Sequence, residues 1–179
     1  MVNRKVLVIL AHPDISGSRV NRALKDAIAG LREVSIHELY KEYPDREIDV
    51  KKEQGLLLKA DAVVFQFPFY WYSSPALLKE WQDKVLEYGF AYDSNGTALR
   101  GKEFLVAVST GGPKEAYAET GLNRFGMVEL LRPYEAMANL TGMRYNAPFV
   151  INGVRTISDE ELKRRGGSTK ASWLPSAAA

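Results

Sequence analysis

Lys5-Val-Leu-Val-Ile-Leu10 is the first apolar run of the chain. After its lysine the run is continuous and rich in β-branched residues, which is typical of a parallel strand buried on both faces. Similar runs occupy residues 62–67 and 104–108, and weaker ones occupy residues 34–39 and 149–151. These five segments are the predicted strands of the protein.

Helical patterns separate the predicted strands. Helical periodicity or composition marks residues 18–31, 49–59, 75–88 and 122–140. Pro75 stands at a favoured first helical position, and Pro133 should kink or divide the longest segment. The capping-box sequence Ser158-Asp-Glu-Glu161 predicts the start of a last helix.

The alternation of strand and helix predicts the fold class. It indicates an α/β domain in which right-handed crossovers place helices on both faces of a parallel sheet. Five strands favour the doubly wound, flavodoxin-like three-layer fold with strand order 2-1-3-4-5. Such sheets bind ligands beyond the carboxyl ends of their strands, so the candidate ligand loops are residues 11–18, 67–75 and 109–121.

Length and composition limit the classes of function. A chain of 179 residues predicts one domain, which we place at residues 1–165, with a disordered or non-native tail at residues 166–179. The absence of cysteine excludes disulfides and thiolate metal sites, so any redox role falls on a bound cofactor. Two histidines leave little for a metal site, and a net charge of +2 does not indicate nucleic acid as a partner. We recognise no signal peptide or membrane span and expect a cytoplasmic protein.

The first candidate loop, Ala11-His-Pro-Asp-Ile-Ser-Gly-Ser-Arg-Val-Asn21, suits an anion. Ser16 and Ser18 offer hydroxyls, and the following helix start offers free backbone amides with a partial positive charge. Arg19 could neutralise a phosphate, while His12 or Asn21 could form hydrogen bonds to it. Capping of the helix by Ser16 or Ser18 is the commoner use of such serines and is compatible with phosphate binding. The glycine patterns of dinucleotide-binding and P-loop proteins are absent.

The second loop, Gln66-Phe-Pro-Phe-Tyr-Trp-Tyr-Ser-Ser-Pro75, is unusually aromatic. Phe65 and Phe67 belong to the strand before it, and we assign them to the core. The loop aromatics Phe69, Tyr70, Trp71 and Tyr72 could fill core or form a dimer interface. We favour contact with a planar heteroaromatic ligand, because a loop at this edge should otherwise be polar.

The third loop, Ser109-Thr-Gly-Gly-Pro-Lys-Glu-Ala-Tyr117, contains two glycines that allow close backbone approach. Alone the glycine pair is a weak signal, but it lies at the same sheet edge as the other two loops. Phosphate loop, aromatic platform and glycine turn together describe a pocket for a phosphorylated planar ring such as FMN. Neutral donors of the glycine turn would face the ring edge that becomes anionic on reduction.

These three motifs together resemble a known family. Gln66-Phe-Pro-x-x-Trp-Tyr-x-x-Pro-Ala-x-x-Lys-x-Trp81 is similar to the signature of the flavodoxin-like NAD(P)H:quinone oxidoreductases, and Ala11-His-Pro13 and Ser109-Thr-Gly-Gly112 match at the expected places. The resemblance covers about residues 5–155. It is closest to small bacterial members, which include the ancillary flavoproteins of potassium-efflux systems.

The resemblance implies a homodimer that transfers hydride from NADPH or NADH to FMN, with FAD as an alternative, and then to a quinone. It implies phosphate contacts at His12, Ser18 and Asn21, to which we add Ser16, Arg19 and Val20. It implies ring contacts among Pro68, Phe69, Tyr70, Trp71, Tyr72, Ser109, Thr110, Gly111 and Gly112. Tyr117 matches a tyrosine at the substrate side of the flavin, and Asn123 stands where some members have its histidine partner. Either Tyr117 and water suffice for the proton relay, or quinone turnover is weaker than in members that have the histidine.

Two rival functions and two further basic residues complete the predictions. The protein could be a regulatory flavoprotein that binds and activates a membrane potassium-efflux transporter, at the inner face of the membrane. An electron-transfer flavodoxin is less favoured, because such carriers are typically acidic and this chain is near neutral. Arg155 and Lys114 could meet the phosphate of NADPH, although each is more often a solvated charge.

Overall fold

The computed structural model describes residues 4–173, and within them a parallel sheet forms the centre of the protein. Its strands are β1 Val6–Leu10, β2 Val34–Glu38, β3 Ala62–Pro68, β4 Glu103–Ser109, β5 Arg144–Tyr145 and β6 Phe149–Ile151. The strand order is β2-β1-β3-β4-β5, and β6 also pairs with β4. This confirms the predicted flavodoxin-like order. The chain places β2 on one side of β1 and then adds β3, β4 and β5 on the other side.

Helices cover both faces of the sheet. They are α1 Arg19–Ile28, α2 Leu39–Glu42, α3 Val50–Lys59, α4 Ala76–Val85, α5 Met127–Leu130, α6 Arg132–Thr141 and α7 Asp159–Trp173. The N-cap side chains Ser18 and Ser158 accept the backbone N–H groups of Asn21 at 3.2 Å and Glu161 at 3.1 Å. Both predicted helix starts are therefore confirmed, and each follows from a hydroxyl that satisfies a free donor of the first turn.

Two hydrophobic layers hold the helices against the sheet. On one face Phe65 contacts Trp81 and Phe104 edge to face, with ring centroids 5.6 Å and 4.9 Å apart. On the other face Leu24 of α1 is fully buried against the sheet. The assignment of Phe65 and Phe67 to the core is confirmed, because both are buried within β3.

The fifth position of the sheet differs from the prediction. Two short strands share it: β5 pairs with the start of β4 and β6 pairs with its end. The sequence analysis identified only residues 149–151, because the two residues of β5 form no apolar run. Short α2, formed by four residues, was also missed for lack of a periodic pattern.

Three predicted helices are shorter than expected, and the first of them, predicted at 18–31, spans Arg19–Ile28. The segment predicted at 122–140 is a loop as far as Gly126, and two helices follow with their junction at Leu131. Pro133 lies in the first turn of α6, so the predicted division is confirmed. The helix predicted at 75–88 ends at Val85, and Pro75 is its N-cap rather than its first helical residue.

The last helix continues past the boundary that we placed at residue 165. α7 extends to Trp173, whose ring packs edge to face on Phe149 at 6.0 Å. A Cβ added at Gly166 would lie 3.5 Å from the Cβ of Ala27, so this glycine brings α7 close to α1. The helical period was hidden because few of its residues are apolar. Residues 174–179, the rest of the predicted tail, lie outside the described residues.

Within residues 4–173 no helix combines the length and the apolar character that crossing a bilayer requires.

Candidate functional site

The three candidate loops meet at the carboxyl edge of the sheet. The N–H of Ala11, in the first loop, donates to the carbonyl of Gln66 at 2.9 Å. The N–H of Phe69, in the second loop, donates to the carbonyl of Ser109 at 2.8 Å, where the third loop begins. The loops are thus fixed to one another by backbone hydrogen bonds, which gives the site a rigid base.

A cleft of about 550 Å³ opens between the second and third loops. We call it the aromatic cleft, and its lining residues are Phe69, Trp71, Tyr72, Gly111, Gly112, Tyr117 and Arg155. Phe69 lies between the rings of Tyr72 and Tyr117, with centroids 6.2 Å and 6.3 Å away and edge-to-face geometry. The size and the aromatic lining are those of a site for a planar organic molecule.

A strained tight turn presents Trp71 to solvent. Tyr70 and Ser73 exchange backbone hydrogen bonds of 3.0 Å and 2.9 Å, so Trp71 and Tyr72 are the two central residues of a hairpin turn. Both have positive φ, 48° and 62°, a conformation that favours asparagine and glycine. The Trp71 side chain is also 92% exposed. Strain combined with an exposed large aromatic indicates a contact surface for a ligand or partner.

The glycine turn offers unused hydrogen-bond donors. Within residues 4–173 the backbone N–H groups of Gly111 and Gly112 have no acceptor. A Cβ added at Gly111 would meet nothing within 4 Å, whereas one at Gly112 would lie 3.3 Å from Cε2 of Tyr117. The turn therefore leaves open space beside its amides and holds Tyr117 close. Two free donors beside an aromatic cleft fit the polar edge of a flavin ring.

Several predicted ring residues support the cleft instead of lining it. Ser109 and Thr110 are buried, and the Thr110 hydroxyl donates to the carbonyl of Gly112 at 2.9 Å. Pro68 ends β3 in the core, and Tyr70 lies outside the cleft, where burial and nearby Tyr40 raise its pKa. These four residues were selected by their sequence position, which does not show which side chains face the cleft.

Asn123 also lies outside the cleft lining, but it is connected to it. Its Oδ1 accepts a hydrogen bond of 2.9 Å from the hydroxyl of Tyr72. The contact ties the strained turn to the segment that follows the glycine turn. Asn123 thus holds Tyr72 in this structure, which is a positioning contact rather than the proton relay that a histidine could provide.

The start of α1 keeps the features of an anion site. The first-turn N–H groups of Arg19 and Val20 have no carbonyl one turn earlier to accept them within the helix. Asn21 is buried, and its Nδ2 donates to Oγ of Ser109 at 2.9 Å, so it anchors the third loop. Free amides at a helix start suit a phosphate, as the sequence analysis expected.

The side chain of Arg19 is engaged elsewhere. Its guanidinium donates to Asp159 at 3.0 Å through Nε and to the carbonyl of Ile157 at 2.7 Å through Nη2. In this structure the arginine joins α1 to α7, and its contact with a phosphate stays a prediction. The partner is 140 residues away in the chain, so the sequence alone gave no sign of it.

Asp14 competes with a phosphate for the donors of the first loop. Its Oδ1 accepts the hydroxyl of Ser16 at 2.6 Å and the N–H of Gly17 at 3.0 Å. These bonds, that of Ser16 first, lower the pKa of the Asp14 carboxyl. Asp14 was not among the predicted site residues, although an aspartate followed by serine and glycine is a common turn pattern.

His12 is a neutral donor in this loop. Burial lowers its pKa, which outweighs the opposing effect of Asp14. Nδ1 of His12 accepts the N–H of Asp14 at 3.1 Å, so the ring proton is on Nε2. His12 and Ser16 line a second cleft of about 280 Å³ on the β2 side, together with Glu38 and Tyr40. This second cleft and the aromatic cleft have no lining residue in common.

The sheet edge, the aromatic cleft and the amides at α1 define a flavodoxin-like α/β protein with a site for a phosphorylated planar ring. The chain belongs to the family described as having the flavodoxin-like fold (Flavodoxin_2), which it matches over residues 4–171. The predicted family membership and fold are confirmed.

Three known proteins illustrate the similarity. The chain is 44% identical to the glutathione-regulated potassium-efflux system ancillary protein KefG of Cronobacter sakazakii, covering 95% of this chain and 92% of that one. General stress protein 14 of Treponema denticola, solved in complex with FMN, is 41% identical with a TM-score of 0.90, over 95% of this chain and 97% of that one. An NADPH-quinone reductase from P. pentosaceus is 33% identical with a TM-score of 0.88, over 97% and 99%.

Proposed function

We propose that this protein binds FMN in the aromatic cleft and transfers two electrons from NADPH or NADH to a quinone or a related acceptor. The observation that carries the proposal is the pair of free amides at Gly111 and Gly112 beside a cleft walled by Trp71 and Tyr117. Support comes from the relative in complex with FMN and from the relative named NADPH-quinone reductase.

When bound, FMN supplies the hydride chemistry, and the chain supplies binding and orientation. Trp71, Tyr72 and Phe69 would hold the ring, and the amides of Gly111 and Gly112 would donate to its polar edge. Tyr117 lies against the glycine turn and reaches the same edge with its hydroxyl. Donor and acceptor would use this cleft in turn, which is the ping-pong order that the sequence resemblance implies.

The phosphate would lie at the start of α1. The amides of Arg19 and Val20 and the hydroxyl of Ser18 face it, and His12 offers a neutral N–H donor. The Ser16 hydroxyl now donates to Asp14 and must rotate to serve the phosphate. A carboxylate so close repels a phosphate, so the amides and hydroxyls must outweigh it. FMN is favoured over FAD, because a relative of 41% identity was solved in complex with FMN.

Reconstitution tests the proposal. The purified full chain is incubated with FMN or FAD, desalted, and examined by absorbance and mass spectrometry. Anaerobic addition of NADPH or NADH should bleach the flavin absorbance, and a quinone added next should restore it. A chain that retains neither flavin above a bovine serum albumin control would contradict the proposal.

A regulatory role is the second candidate, and the similarity to KefG favours it. In this role the flavoprotein binds a membrane potassium-efflux transporter from the inner face and activates it, and enzyme activity is secondary. The test is co-purification with a transporter encoded nearby, followed by potassium-efflux assays. Full activation by a Tyr117→Phe variant that reduces quinones roughly tenfold more slowly would support the regulatory role, and activation that falls in step with quinone turnover would contradict it.

A further inference from the structure

Arg155 is the residue of the aromatic cleft whose chemistry the proposed function does not yet use. Among the described residues that line this cleft, it is the only one that carries a charge. Within residues 4–173 its guanidinium has no carboxylate or carbonyl partner. An arginine that lines an aromatic cleft and has no protein acceptor is available for a bound anion or a developing negative charge.

The backbone of Arg155 is fixed to the glycine turn. The N–H of Gly153 donates to the carbonyl of Gly112 at 2.8 Å, and the N–H of Val154 donates to the carbonyl of Thr110 at 3.0 Å. Gly153 has a φ of 66°, and its own carbonyl accepts the N–H of Thr156 at 2.9 Å. A tight turn thus fixes the backbone beside Arg155 to Thr110 and Gly112, next to the free amides of the glycine turn.

No other side chain of the cleft can provide this charge. Tyr117 is a neutral donor, and Asn123 is a neutral amide whose oxygen already accepts the hydroxyl of Tyr72. The nearby Lys114 lines a separate cleft below the glycine turn. Among the described residues that line the cleft, Arg155 is therefore the cation beside the glycine turn.

We propose that Arg155 stabilises the negative charge that two-electron reduction adds to the flavin edge at the glycine turn. This inference rests on the proposed function. Hydride transfer breaks the C–H bond of the dihydronicotinamide and forms an N–H bond on the flavin. The donor leaves as the oxidised pyridinium, and two electrons with one net negative charge remain at the flavin. Arg155 therefore interacts more strongly with the reduced than with the oxidised state.

The competing source of negative charge is a phosphate of the nicotinamide donor, and it predicts a different result. A contact with the 2′-phosphate would change the KM for NADPH relative to NADH and leave the properties of the flavin alone. A contact with the flavin edge would change the flavin itself, with no donor present. The test therefore begins with the flavin-loaded protein in the absence of nicotinamide.

The experiment compares wild type, Arg155→Gln, Arg155→Lys and Arg32→Gln. Arg32 is an exposed arginine at the opposite edge of the sheet, so its variant controls for net charge. With FMN at saturation, the two-electron midpoint potential is measured, and the affinity for sulfite is titrated, because sulfite addition also places negative charge on the flavin.

We expect Arg155→Gln to weaken sulfite binding about tenfold and to lower the potential by about 30 mV, the equivalent of tenfold for a two-electron couple. Arg155→Lys should restore most of both values, and Arg32→Gln should match wild type. An Arg155→Gln variant with unchanged potential and unchanged sulfite affinity would overturn the inference. This holds even if the variant binds oxidised and reduced FMN more weakly by the same factor, because the potential then stays the same. A selective rise in the KM for NADPH would assign Arg155 to the donor phosphate. Failure of the wild type to retain flavin would instead refute the proposed function.

Discussion

Trp71 and Tyr72 show how a single turn can combine strain with exposure. Non-glycine residues at positive φ cost of order 1 kcal/mol or more, and this turn contains two in succession. Packing does not offset this strain at Trp71, because 92% of that side chain is exposed. The ring is therefore positioned by the turn, and its stabilising contacts must come from a ligand in the aromatic cleft or from a partner that covers the turn.

Replacing Trp71 by alanine tests this at the level of one residue. We expect Trp71→Ala to weaken FMN binding by about 1.4 kcal/mol, which is tenfold, because the ring contact is lost. The melting temperature of the apoprotein should stay within about 1 °C of wild type, because an exposed side chain adds little to stability. Fluorescence titration with FMN and thermal unfolding provide the two measurements.

Tyr88→Ala is the matched control for that variant. Tyr88 is also an exposed aromatic, but it lies outside the cleft. Equal loss of FMN affinity in both variants, or none in Trp71→Ala, would remove the tryptophan from the ring site.

Tyr117 offers a second test of the cleft. Tyr117→Phe removes only the hydroxyl, so the ring that packs on Phe69 and beside Gly112 remains. We expect unchanged FMN affinity and a reoxidation rate by quinone that falls roughly tenfold, the value of one lost hydrogen bond in the transition state. Stopped-flow absorbance separates this step from reduction by NADPH. A slowing confined to reduction would place the hydroxyl on the donor side instead.

At the scale of the elements, a buried carboxylate joins four segments beneath the site. Glu53 of α3 is fully buried, and it accepts the indole N–H of Trp81 at 2.7 Å and the hydroxyl of Tyr43 at 2.5 Å. Nε2 of His37 on β2 lies 2.8 Å from the same carboxylate. Burial alone would raise the pKa of Glu53, but these surrounding donors lower it below its ordinary value of 4.5.

Glu53→Gln should destabilise the fold in a pH-dependent way. We expect a loss of about 2–3 kcal/mol at pH 7, because the amide supports fewer of these hydrogen bonds. A lowered pKa means that the carboxylate contributes fully above the ordinary value of 4.5 and that the contribution is lost as pH falls through the folded-state pKa. The difference in the free energy of unfolding between wild type and variant should therefore narrow below pH 4.5. Urea unfolding from pH 7 to pH 3 measures this difference. A difference that does not change with pH would contradict the assignment.

Strands and helices differed in how well the sequence predicted them. β1, β3 and β4 are buried on both faces, so each appears as an apolar run that needs no knowledge of its neighbours. β5 and α2 are short, and tertiary contacts alone determine them. The helix predicted from residue 122 was wrong as far as Gly126, because apolar residues there are exposed, as Leu122 and Phe125 show.

The site was predictable at the level of loops but not of individual side chains. Fold topology brings the three loops together, and the topology follows from the order of strands and helices. Side-chain partners depend on distant segments: Arg19 pairs with Asp159, and Tyr72 bonds to Asn123. Arg155 was noted only as a candidate for a donor phosphate, since nothing near it in sequence shows that its turn is bonded to Gly112.

At the scale of the whole molecule, exposed apolar side chains lie on the segments that border the cleft. Leu122 is 89% exposed, and Phe125 and Val128 follow it on the segment that the Tyr72–Asn123 hydrogen bond ties to the aromatic turn. We expect these side chains and Trp71 to form one interaction surface, because exposed large apolar side chains on neighbouring segments are typical of such surfaces. A second copy of this chain covering that surface would complete the wall of each flavin site.

A charge introduced at Leu122 tests the dimer. The wild type should sediment at twice the mass of one chain, and Leu122→Asp should shift it to the monomer, because the carboxylate would be buried without a partner. FMN affinity should fall in the same variant if the partner helps to enclose the ring. Leu58→Asp is the control, because Leu58 is also exposed but lies on α3. Sedimentation velocity at several concentrations, with and without FMN, measures both effects. A wild type that binds FMN as a monomer, or a Leu122→Asp variant that stays dimeric, would place the interface elsewhere or remove it.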